Sequence, residues 1–109
     1  MARTDDLSKP IAQDFFMEAI EEGLSLLGKS GKQAVFFYLE KGHNLNRNKI
    51  ASEPQYFSEA LDKIFGLGAV FLKTIILKGY YEKIGLTPPE KIENLDFAEC
   101  IQNAIDSMP

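Results

Sequence analysis

The sequence predicts an all-α protein, a compact bundle of four main helices plus a short C-terminal helix. Three observations carry that reading. Apolar residues recur at i, i+3, i+4 and i+7 in several segments, helix start and stop signals bracket those segments, and no stretch resembles a partner strand for the one continuous apolar run. At 109 residues, with 45% apolar and 26% charged side chains, the chain has enough material for one hydrophobic core and lies far from the composition of disorder.

Residues 1–9 read as a flexible N-terminal arm ahead of a single helical domain over 10–109. Pro10 suits a first helical turn, and Ala12, Phe15, Phe16, Ala19, Ile20, Gly23, Leu24 and Leu27 then mark one apolar face, with Asp14, Glu18, Glu21, Glu22 and Ser25 opposite. Gly28 offers a left-handed stop, and the Gly28 to Gly31 stretch reads as a break. The run GKQAVFFYLEKG follows as a second helix, ended by Gly42, with Lys41 at the negative end of its dipole.

The asparagine-rich segment 43–51 is expected to connect, with room for a single helical turn and with Ile50 pinning it to the core. Ser52 then reads as the N-cap of a third helix, with Gln55 completing a capping box and Pro54 in the first turn. Its apolar face is Phe57, Ala60, Leu61, Ile64 and Phe65. Gly66 and Gly68 form a structural corner where helix follows helix with almost no loop.

The helix over 69–84 is apolar nearly all round, apart from a stripe of Thr74, Lys78 and Glu82, so it must be covered on several sides. Gly85 ends it, and Thr87, Pro88 and Pro89 stiffen the link beyond. Asp96 with Glu99 repeats the capping-box pattern, and Phe97, Cys100, Ile101, Ala104, Ile105 and Met108 mark a terminal helix over about 96–108.

Few function classes survive this inventory. A net charge of −4 argues against a main role in gripping polyanions, whose affinity comes from neutralised phosphates. The single cysteine excludes an intrachain disulfide, the charged opening lacks a secretory apolar core, and no apolar run approaches a membrane span, so a cytoplasmic address is expected. Glu18, Glu21 and Glu22 lack the Glu-x-x-His pairs of a bundle metal site and read as a solvated face. His43 has no neighbouring acid or cysteine to make it a base, and Cys100 faces the core as a small hydrophobe. No catalytic, cofactor-binding or metal-binding residue is assigned. Lys41, Arg47 and Lys49 are the one hint of nucleic-acid contact, and the many aromatic rings leave open a carrier for a small apolar ligand.

The segments LGKSGKQAVFFYLEKG and PQYFSEALDKIFGLGAVFLKTIILKGYYEKIGL resemble a small archaeal all-helical family, the Nitrosopumilus-type output domains. The similarity covers about 19–86. It rests on Leu27-Gly28, on Leu39-Glu40-Lys41, on Phe57 with Ala60-Leu61, on the corner Ile64 to Ala69, and on the run Tyr81 to Leu86. The resemblance implies a helical module that works through association in archaeal signalling, and it brings no catalytic residue with it.

The expected role is therefore a non-enzymatic regulatory or adaptor module with protein partners, itself included as a homodimer. A nucleic-acid-associated regulator using Lys41–Lys49 and an apolar-ligand carrier are the alternatives. On a helical wheel Leu72, Ile76, Tyr80 and Ile84 point to the core, while Phe71, Ile75 and Lys78 form the candidate interface. A terminal helix folded back over Phe71 and Ile75 would remove the need for a partner.

Overall fold

A computed structural model describes residues 4–89 and 96–107, with side chains from residue 13 onward. The described residues are all-α: α1 (Thr4–Leu24), α2 (Gly28–His43), α3 (Arg47–Ser52), α4 (Pro54–Phe65), α5 (Ala69–Lys83) and α6 (Phe97–Asp106), with 3₁₀ turns at Ser25–Leu27 and Gly66–Gly68. No strand occurs among them. No helix among them is long and apolar enough to cross a membrane.

Several boundaries differ from those expected. The backbone is helical from Thr4, within the segment expected as an N-terminal arm. Gly28 does adopt a glycine-favouring backbone (φ 81°, ψ 166°), yet α2 starts there directly and absorbs the anticipated break. Gly42 does not cap α2. The helix runs on through His43, and Asn44 takes the left-handed conformation (φ 54°, ψ 34°), a role asparagine fills because its short polar side chain tolerates that region.

The asparagine-rich connection contains a helix of its own. Asn46 caps α3 by accepting the Lys49 amide at 3.0 Å, and Ile50 on it is 1% exposed. That helix consumes Ser52, which lies in its last turn and donates to the Lys49 carbonyl at 3.3 Å, so the expected Ser52 capping box does not form. Instead α4 opens with Pro54 after an uncapped Glu53 at φ −131°, ψ 69°, the non-helical backbone that a following proline imposes. The Asp96 cap does form, accepting the Glu99 amide at 2.9 Å. Ala12 and Met108, assigned to apolar faces, lie outside the residues whose side chains are described.

The core is built around an antiparallel α1–α5 pair. Lys83 reaches Glu22 at 2.8 Å and Glu18 at 3.6 Å at one end, and further along Gly23 lies against Ile76 so closely that a β-carbon there would sit 2.9 Å from Ile76 Cγ1. Four helices each contribute one ring to the centre. Phe16 of α1 lies 6.3 Å from Phe57 of α4, 5.5 Å from Tyr80 of α5 and 6.0 Å from Phe97 of α6. All four are buried, and each such side chain contributes about 1.5–3 kcal/mol relative to exposure.

The nearly all-apolar α5 is thus covered on two sides. Ile76 lies against Gly23 of α1, while Leu77 and Tyr81 are buried toward α4 and α6. A Schellman pair closes the helix, with Gly85 N–H on the Glu82 carbonyl at 3.2 Å and Leu86 N–H on the Tyr81 carbonyl at 2.9 Å, and Gly85 at φ 78° permits it.

Candidate functional site

The α4–α5 corner carries three exposed large apolar side chains; others stand exposed at Leu26, Leu27, Phe37, Tyr38 and Tyr56. Gly66 holds φ 58° and ψ −129°, a region open to glycine alone, and this lets α5 start three residues later. Gly68, expected to share that role, has ordinary helical angles of φ −66° and ψ −17°; its hydrogen atom is not a backbone requirement. Between them Leu67 projects away from both helices and is 96% exposed.

Phe71 is 67% exposed and Val70 44%. Lys78, seven residues from Phe71 and on the same side of α5, is exposed, whereas Ile75 is half-buried against Gly23. Of the three residues expected at the interface, the structure therefore places Phe71 and Lys78 on the open surface and Ile75 at its edge. The terminal helix leaves Phe71 and Lys78 exposed while it packs against α4, α5 and α1. Sequence reasoning missed Leu67 and Val70. Leu67 stands between two glycines at a helix junction, a position from which a side chain has no core to reach, and that signal was available.

The remaining candidates are engaged structurally. Glu21 is ion-paired with Arg47, whose guanidinium also stacks 4.2 Å from the Phe36 ring centroid, so one of the three cations of the basic segment is already committed within the chain. Glu18 and Glu22 share Lys83, whose ammonium is held above its usual range chiefly by the Glu22 hydrogen bond. Cys100 is 3% exposed; burial, with Asp96 and Glu99 adding negative charge, pushes its thiol up, away from the thiolate a nucleophile needs. His43 lies half-buried at the end of α2. The core rings pack on one another, and Phe37 and Tyr38 form an edge-to-face pair at 6.0 Å on the outside of α2, each 57% exposed.

Comparison with family models, curated proteins and solved structures finds no match to this chain.

Proposed function

We propose that this domain is a non-enzymatic regulatory or adaptor module that acts by associating with proteins, a second copy of itself included, in keeping with the signalling role its archaeal resemblance implies. The observation that carries the reading is the exposure of Leu67, Val70 and Phe71 within one corner of the fold. Scattered exposed apolar residues are ordinary, but a contiguous group at a fold's edge is the usual mark of an interaction site.

The outer line of α5 is also self-complementary. In an antiparallel contact between two copies of α5, the seven-residue spacing sets Phe71 of one copy opposite Lys78 of the other, twice over. A symmetric dimer requires that reciprocity, and an ammonium over a phenyl ring adds about 0.5–1 kcal/mol at each exposed site.

The test is solution mass by light scattering, with circular dichroism as the control for folding. Wild type should associate and Phe71→Glu should be a folded monomer, since Phe71 carries little of the core. A wild type that stays monomeric at high concentration overturns the dimer.

A further inference from the structure

Two 3₁₀ turns lie at one end of the α1–α5 pair. The pair is antiparallel, with Ala19 against Gly79 and Gly23 against Ile76, so the turn that follows α1 (Ser25–Leu27) and the turn that precedes α5 (Gly66–Gly68) share that end. Each is shaped by a glycine at positive φ, Gly28 at 81° and Gly66 at 58°. Each also presents leucine to solvent. Leu26 is 65% exposed, Leu27 39% and Leu67 96%, with Phe71 in the first turn of α5 at 67%.

The charge on the two stretches that run through these turns has one sign. Residues 23–39 and 63–81 hold Lys29, Lys32, Lys63, Lys73 and Lys78 and not one aspartate or glutamate, in a chain whose net charge is −4. Lys73 is bound to Asp62 at 2.6 Å. Lys29 and Lys63, beside the turns, are exposed and make no ion pair among the described residues.

We propose that this end of the domain seats on an anionic lipid bilayer, with the leucines entering the apolar boundary and the lysines meeting headgroup phosphates. A peptide segment is held by a groove that lines its side chains, but these leucines stand on turns that project from the fold. A bilayer asks only for apolar side chains clear of the backbone around them, and the lysines select an anionic surface over a neutral one. The inference goes beyond the association reading and does not rest on it, because Leu26, Leu27 and Lys29 take no part in the α5 contact.

The probe is co-sedimentation of the full chain with vesicles of phosphatidylcholine, alone or mixed with phosphatidylserine. The expected result is sedimentation with the mixed vesicles, little with the neutral ones, and release as salt is raised. Leu26→Ser and Leu67→Ser should each weaken binding at least about tenfold, the effect of withdrawing one buried leucine, and Lys29→Gln and Lys63→Gln about fivefold each. Lys41→Gln, about 18 Å along α2 from Lys29, should change it little. Circular dichroism checks the fold, and light scattering separates the two readings. A monomer that still sediments supports the bilayer and overturns the dimer alone, and Leu26→Ser should lose the vesicles with its solution mass unchanged. The proposal is overturned if wild type binds neither vesicle or both equally, if Leu26→Ser and Leu67→Ser bind as wild type does, or if Lys41→Gln loses as much as Lys29→Gln. Capture of a fluorescein-labelled hexaglutamate peptide without sedimentation would overturn it in favour of an acidic protein segment.

Discussion

The Tyr81 hydroxyl donates a buried hydrogen bond of 2.8 Å to the carbonyl of Cys100, tying α6 to α5 by a bond independent of the ring packing at the centre. Tyr81→Phe keeps the ring and deletes that bond. Thermal melting should show a loss of about 0.5–1.5 kcal/mol; an unchanged melting temperature would mean that α6 is held by Phe97 and Ile101 alone.

Tyr80, the adjacent residue, presents the opposite case. It is fully buried and its hydroxyl has no hydrogen-bond partner among the described residues. An unsatisfied buried donor costs about 1–3 kcal/mol, and replacing it with an apolar group of the same shape is neutral or stabilising. Tyr80→Phe should therefore melt at or above the wild-type temperature. A clear drop in melting temperature would reveal a partner for that hydroxyl.

The same residue sets an alkaline limit. Burial, reinforced by Tyr81, pushes the Tyr80 hydroxyl up to about 12 from 10.0. The folded value lies above the unfolded one, so its contribution is fully present below about pH 10 and is lost as pH rises through about 12, where the unfolded chain ionises first. In denaturant titrations across that window wild type should lose stability more steeply than Tyr80→Phe. Parallel curves would refute the assignment.

The two corner glycines should behave differently. Gly66→Ala forces a side chain into φ 58°, ψ −129° and should cost about 1–3 kcal/mol. Gly68→Ala enters helical backbone, where the new β-carbon meets Phe65 Cβ at an ordinary 3.9 Å; it should be neutral or stabilising by up to about 1 kcal/mol. Equal losses in chemical denaturation would show that the turn is strained at both positions.

Cys100 supplies a probe of local opening. With its thiol 3% exposed and its ionisation disfavoured by burial, labelling by an aromatic disulfide should be slow in native buffer and faster in Tyr81→Phe, because reaction waits for α6 to detach. Rapid labelling of wild type would place the thiol at the surface.

Buried faces were legible in this sequence wherever one helix has one apolar stripe. Phe57, Ala60 and Leu61 on α4 and Phe97, Cys100, Ile101 and Ala104 on α6 are buried as their spacing requires, and the Asp96 cap formed as its pattern implies. Helix ends were harder to read. Gly28, Gly42 and Ser52 each carry a terminus signal, but an interior glycine costs only about 1 kcal/mol, which packing through Val35 and Leu39 outweighs, and Asn44 and Asn46 supply competing signals of the same strength. At the candidate surface, the wheel position of Phe71 already told of its exposure. The docking of α6 against α4 is a relation between segments some 40 residues apart that no local pattern encodes.

The antiparallel α1–α5 pair has a consequence for how the chain is made. Lys83 lies 61 residues after Glu22, and a ribosome adding about 5–20 residues per second leaves an interval of several seconds between them. Throughout that interval Phe16, Ile20 and Leu24 have left the ribosome without the helix that covers them. Closure of the α1–α5 pair, a long-range event that carries its loop entropy before any contact forms, then covers them, and α6 with Phe97 docks after it. A nascent chain stalled before α5 should accordingly remain protease-sensitive throughout, with no protected N-terminal fragment.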